Sequence, residues 1–210
     1  MGPARKGLGD ARRRPSSVFG TEGAHLFRSR TPSAGGSGAH PVALRRRTGH
    51  TPSPKETAMH SSALAALEQR WHEEIPLSAA MNLRVLPSPA HTLHLQAPLA
   101  PNRNVHGTAF AGSLYAAAAL CGWGRMALTL EAAGLDGELV IAEGTIRYRR
   151  PVTEALALKT TFPEADAEAF CAALRAQGKA RQTLEVLINA DAEGFCARFE
   201  GVYAVRLRSA

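Results

Sequence analysis

Apolar residues change their spacing several times along this chain, and each change marks an element. Before residue 61 no period runs through the sequence. From there Leu64, Leu67 and Trp71 fall three and four apart, the spacing of one helix face, behind Ser61 or Ser62 as a cap. This predicts a helix to about Glu74, stopped by Pro76. Residues 83–86 read as a short strand and Pro87-Ser88-Pro89 as a turn. Residues 92–97 alternate with period two as its hairpin partner, which leaves His91 and His94 facing solvent. A polar loop over 98–108 then feeds the longest apolar run of the chain, 109–130, whose only formal charge is Arg125. A helix that is apolar on every side must be enclosed, by other elements or by lipid.

Beyond Gly134 the period returns to two. In a strand over 138–150, Val140, Ala142, Gly144, Ile146 and Tyr148 share the face expected to pack on the helix; Glu143, Thr145, Arg147 and Arg149 share the other. Pro151 breaks this strand and residues 155–162 resume it after a bend. Asp166 is placed to cap a short helix carrying Phe170, Cys171 and Leu174, which Gly178 ends. Strands over 179–190 and 195–208 close the chain; in the last, Ala197, Phe199, Tyr203, Val205 and Leu207 alternate with Arg198, Glu200 and Arg206. One apolar face per strand suits an antiparallel sheet covered on one side. The fold class is therefore α+β: a hotdog, with the sheet wrapped around the long helix. A bilayer would also enclose residues 109–130, but Ser113, Arg125, Gly112, Gly122 and Gly124 within the run, and the amphipathic strands that need something to cover, argue against it.

The net charge of +7 suggests nucleic acid or acidic membrane until it is divided along the chain. Residues 1–58 hold 11 Lys/Arg against 3 Asp/Glu, and residues 59–210 hold 14 against 15. The globular part thus lacks an electrostatic footprint for nucleic acid, and no nucleic-acid or membrane partner is expected for it. The first 58 residues mix Arg clusters with Pro, Gly and Ser and read as a disordered basic tail. A transit segment, a nucleic-acid-binding arm and a mis-assigned start ahead of Met59 all account for that composition. Three scattered cysteines, Cys121, Cys171 and Cys196, make neither a disulfide framework nor a zinc site. They imply a reducing compartment, the cytoplasm, with Cys121 a small core residue and no metal or cofactor expected.

The start of the apolar helix carries the candidate chemistry. The first backbone N–H groups of a helix are free to meet negative charge, and Gly107 and Gly112 would let a substrate approach the backbone. His106 is the one histidine nearby, and histidine readily takes a proton near neutrality. Thr108 and Ser113 can orient water or cap the helix, and Asn104 can place water or simply form a turn. No carboxylate lies between Asn102 and Leu130.

Several segments together resemble the YiiD C-terminal family of hotdog thioesterases. They are Pro98-Leu99-Ala100-Pro101-Asn102-Arg103-Asn104, Gly107-Thr108-Ala109-Phe110-Ala111-Gly112-Ser113-Leu114-Tyr115, Trp123-Gly124, Gly134-Leu135-Asp136-Gly137 and Ile146-Arg147-Tyr148-Arg149-Arg150-Pro151-Val152. The resemblance covers residues 62–208. It departs from the family where Ala111 stands in place of the first of two glycines, and the acetyltransferase domain that often precedes such a domain has no room here. It implies hydrolysis of acyl-CoA or acyl-carrier-protein thioesters in a homodimer or dimer of dimers. The candidate catalytic residues are Asn104, which the resemblance implies from its offset of six residues before Phe110, and His106 and Ser113, which their own chemistry suggests. Gly107, Thr108, Phe110, Gly112 and Tyr115 are implied to bind substrate, and Arg147, Arg149 and Arg150 are candidates for the coenzyme phosphates. Two other readings stay open. The missing helix carboxylate suits a non-catalytic acyl-thioester binding module, and a hotdog dehydratase or hydratase would pair a histidine with a buried carboxylate.

Overall fold

A computed structural model of the chain describes residues 54–208 as backbone, with side chains from His60 onward. Apart from the start of the first helix, the expected disordered tail lies outside the described residues. That helix, α1 (Pro54–Glu74), starts upstream of the serines expected to cap it. Nothing between Pro54 and Ser61 breaks a helix, and proline is well suited to a first turn. Leu64, Leu67 and Trp71 are buried as their spacing requires. After Pro76 the chain makes one further short helix, α2 (Pro76–Ala80), which the sequence pattern does not announce.

The hairpin follows as β1 (Arg84–Leu86) and β2 (Thr92–Ala97). His91 and His94 are half-buried rather than in solvent. Desolvation, with Lys159 alongside, holds the His94 ring below its usual pKa. The long helix is α3 (Ala111–Ala132), followed by β3 (Gly137–Tyr148), β4 (Leu156–Thr161), α4 (Glu164–Gln177), β5 (Lys179–Asp191) and β6 (Gly194–Leu207). Helix α4 takes Pro163 at its N-cap position, so Asp166 sits in the first turn instead of capping it, where its charge still suits the helix dipole. Gly178 ends the helix as expected, at φ 68°.

All strands join one antiparallel sheet in the order β1-β2-β4-β5-β6-β3. Its inner face (Leu93 and Leu95, Leu156 and Leu158, Val186 and Ile188, Phe199 and Tyr203) closes around α3. This is the hotdog architecture. Two contacts bring the helix unusually close. A Cβ at Gly122 would collide with the phenol of Tyr203, whose hydroxyl donates to the Ala119 carbonyl at 3.0 Å, and one at Gly124 would enter the ring of Trp71. No helix among the described residues is long and apolar enough to cross a membrane.

One face assignment needs correcting. Up to Ile141, β3 pairs residue for residue with β6 (Leu139 opposite Val205, Ile141 opposite Tyr203), but Glu143 is next opposite Val202, leaving Ala142 as an extra residue. This β-bulge flips the alternation. Before it, Leu139 faces the core and Val140 is 47% exposed; after it, Gly144 and Ile146 turn inward. Val140 and Ala142 therefore do not share the face of Gly144 and Ile146. A period-two count cannot register an inserted residue, because it assumes the very regularity a bulge removes.

Candidate active site

The loop before α3 is built around two asparagines. Asn102 is buried, and its Nδ2 donates to the carbonyls of Met81 at 2.9 Å and Pro98 at 2.8 Å. Its own carbonyl accepts from Phe110 N–H at 2.7 Å, which fixes the end of the loop against its beginning. Asn104 shapes the tip between them. Its Oδ1 accepts from the backbone of His106 (2.8 Å) and Thr108 (3.2 Å), while Nδ2 donates to Thr108 Oγ1 (2.9 Å) and the Ala109 carbonyl (3.3 Å). An Asn side chain has two donor hydrogens and two acceptor lone pairs. All four are engaged, so Asn104 holds the loop and leaves nothing pointed at a reacting group. A turn bond from Gly107 N–H to the Asn104 carbonyl (3.1 Å) closes the tip, with Gly107 at φ 81°, a conformation that favours glycine.

His106 occupies that tip, exposed, beside a Val105 that is 95% exposed. Among the described residues the His106 ring meets no carboxylate, so none of them completes with it the histidine–carboxylate pair of a dehydratase. Thr108 is occupied with Asn104 and does not cap the helix. Phe110 holds the N-cap position (φ −69°, ψ 132°) with no side-chain cap, and Leu114 N–H is the first to turn back into the helix, onto the Phe110 carbonyl at 3.1 Å. The N–H groups of Ala111, Gly112 and Ser113 are therefore left without intrahelical acceptors. Ala111 and Gly112 are exposed and Ser113 is half-buried.

Apolar groups border these amides. A Cβ at Gly112 would collide with the Phe110 ring, so this glycine lets the ring fold back beside the helix start. Phe110 is itself 54% exposed. Tyr115 stands one turn on, its ring edge-on to Phe199 at 5.1 Å, with its hydroxyl 3.4 Å from the Gly144 carbonyl. From Tyr115 a half-buried stripe of Ala116, Ala119, Leu120, Trp123 and Ala127 runs along α3. At its far end, Trp123 and Ala127 border a cavity of about 410 Å³ between α1, α3 and the start of β3.

Sequence reasoning missed two participants. Tyr148, at the end of β3, donates to the Ala111 carbonyl at 2.9 Å and so pins the first residue of the helix. Burial, and then Tyr115 nearby, push its phenol pKa up, which keeps it a donor. The Val152 carbonyl accepts from Ala109 N–H at 2.8 Å and ties the loop to the segment after β3. Tyr148 could be expected to face the helix; its bond to a particular carbonyl had no sequence signal. The arginines separate. Arg150 pairs with Asp191 at 2.9 Å and Glu193 at 3.1 Å, Arg149 lies over the Phe195 ring at 5.2 Å, and Arg147 is exposed opposite Arg198. Cys121 is fully buried and its thiol is pushed far up by desolvation, which makes it a core residue without nucleophilic character.

Comparison with known proteins places this geometry. Residues 64–207 match the model of the family described as "Putative thioesterase (yiiD_Cterm)". The chain is 38% identical to a structure described as "the putative thioesterase from Shewanella oneidensis", covering 70% of this chain and 99% of that one at a TM-score of 0.62. A Chlorobaculum tepidum protein of unknown function is 31% identical over 70% of this chain and 96% of its own, at a TM-score of 0.67. A Pseudomonas aeruginosa protein, at 24% identity and a TM-score of 0.60, shares the fold over 76% of this chain and 100% of its own. Residues 64–207, which carry the helix start, its loop and the enclosing sheet, place this chain in the YiiD C-terminal thioesterase family, to which it belongs.

Proposed function

We propose that the protein hydrolyses acyl thioesters carried on coenzyme A or an acyl-carrier protein. The observation that carries this reading is the set of N–H groups at Ala111, Gly112 and Ser113 without helical acceptors, on two exposed residues and one half-buried one, bordered by apolar side chains. As water attacks a thioester, its carbonyl oxygen becomes an oxyanion, and fixed donors aimed at that oxygen stabilise the transition state more than the ground state. Ser113, and His106 from the loop tip, are the groups left to orient and deprotonate the water; Asn104 acts through the loop shape it maintains. Phe110, Tyr115 and the stripe below offer an apolar bed for the acyl or pantetheine arm. Of the three arginines, Arg147 is the candidate for a coenzyme phosphate, being exposed on β3 while Arg149 and Arg150 have other contacts.

The working unit in this proposal is a homodimer. The sheet has two edges, and they differ. Strand β1 is three residues long, whereas β3 offers twelve, with Val140, Ile141 and Tyr148 exposed and Tyr148 reaching the first residue of α3. A long apolar edge is a template for pairing, and a second copy's β3 matches it in length and chemistry. Such pairing would place partner side chains at the helix start, where this chain supplies no carboxylate of its own. Ile141→Arg is expected to convert a dimer to a monomer in sedimentation measurements and to lower turnover with it.

A series of acyl-CoA esters of increasing chain length, followed by release of the free thiol, tests the reaction. Turnover that exceeds the uncatalysed rate and depends on Ser113 supports hydrolysis. Tight binding without thiol release would instead favour an acyl-thioester binding module, the reading suggested by the carboxylate-free helix start.

A further inference from the structure

Arg125 lies in the second half of α3 and is 5% exposed. Its guanidinium has only neutral partners at long range: the Thr92 carbonyl at 3.5 Å and Thr129 Oγ1 at 3.3 Å. Its Nε is buried with no partner. Among the described residues no carboxylate reaches it, and nothing but burial acts on its pKa, which falls to about 10 and leaves it charged at neutral pH. A buried charge without a counter-charge is strongly unfavourable, which is why such groups are normally paired.

Arg125 borders an open cavity of about 300 Å³ between α3 and α4, shared with Thr129, His91, Arg175, Glu164 and Glu168. Arg175 and both glutamates are exposed, and Arg175 donates to the Ala133 carbonyl at 2.9 Å. The space is separate from the helix start, which lies more than three turns away along α3. We infer that this cavity is a binding site for a small oxyanion, a phosphate or carboxylate group, held by the Arg125 guanidinium with Thr129 beside it. Planar guanidinium donors match the oxygens of both groups, and the cavity is open enough for such an ion to enter from solvent past Ala132, Ala133 and Ala167. The two glutamates at the rim oppose the anion and set a modest affinity.

The test is a titration of the full chain with inorganic phosphate, with acetate, and with chloride at matched ionic strength, read by melting temperature and by calorimetry. Wild type should show a saturable rise in melting temperature with phosphate, acetate or both, and not with chloride. Arg125→Met should raise the dissociation constant tenfold or more, while the basic residues of the tail, unchanged in both proteins, contribute equally. If that variant does not fold, Ala132→Trp fills the cavity from an exposed position and should abolish the response with the guanidinium intact. Removing the rim charges, with Glu164→Gln and Glu168→Gln together, should tighten binding several-fold. A response to phosphate alone identifies a phosphate site; a response to acetate as well identifies a general oxyanion site. No saturable response in wild type, or an equal response in wild type and Arg125→Met or Ala132→Trp, overturns the assignment.

Discussion

The two halves of α3 are built from similarly apolar sequence and sit in opposite surroundings. Around Ala111 to Tyr115 the helix is open: backbone amides lack acceptors, Phe110 and Tyr115 are partly exposed, and no formal charge is present. Around Arg125 to Leu130 the helix is closed on nearly every side, and there the one formal charge of the run is buried. Hydropathy does not separate these halves. The difference comes from what the rest of the chain brings to each. Strands β5 and β6, helix α4 and Trp71 cover the second half, whereas the first half lies beside the unpaired edge of β3. The open end is suited to transient charge on a substrate, and the closed end to a permanent charge that needs a counter-ion.

Substitutions at the closed half should act on stability, and those at the open half on turnover. Trp71→Ala removes the ring that fills the space over Gly124, and loss of so large a buried side chain is expected to destabilise by about 3–5 kcal/mol in denaturant titration. Asn104→Ala opens the loop at the other end; four lost hydrogen bonds should cost about 1–2 kcal/mol and lower turnover about tenfold by misplacing the helix start. If turnover were unchanged, the loop would not be positioning the site. Arg125→Met, in buffer with chloride as the only anion, should leave the fold as stable or more stable by about 1 kcal/mol, because an apolar side chain replaces an uncompensated charge. The smallest effect is expected away from both halves. Asp191, bonded to Arg150, has its carboxyl pKa held below the ordinary 3.8. Its contribution to stability is therefore present above that value and lost as pH falls through the lower, folded-state value. Asp191→Asn should flatten that acid limb slightly and leave neutral-pH stability nearly unchanged, because the pair is exposed.

Much of the fold was legible because burial imposes a period. The face carrying Leu64, Leu67 and Trp71, the charge-poor run that became α3, and the alternation in β6 each follow from which side meets the core. The bulge at Ala142 was not legible, since one inserted residue leaves composition unchanged while reversing every face beyond it. Nor did Ser61 or Ser62 act as the helix cap, because a capping residue begins a helix only where the preceding residues favour another conformation, and here they continue it back to Pro54. The site was legible in part. Glycines beside a helix start marked where the backbone would be bare, and the family motifs marked the family to which the chain belongs. Tertiary hydrogen bonding decided the rest: Asn104 turned inward to serve the loop, and Tyr148 reached back to Ala111 from another strand.

The central claim is that free amides at the start of α3 hold the developing oxyanion. Ala111→Pro tests it most directly. Position 111 is the first of the helix, where proline is well accommodated, and Phe110 already has the extended backbone that a following proline requires. The substitution therefore removes one N–H without unfolding the helix. The account predicts an unchanged or slightly raised melting temperature and about a hundredfold fall in kcat for thioester hydrolysis. Turnover at the wild-type rate by a fully folded Ala111→Pro protein would contradict it.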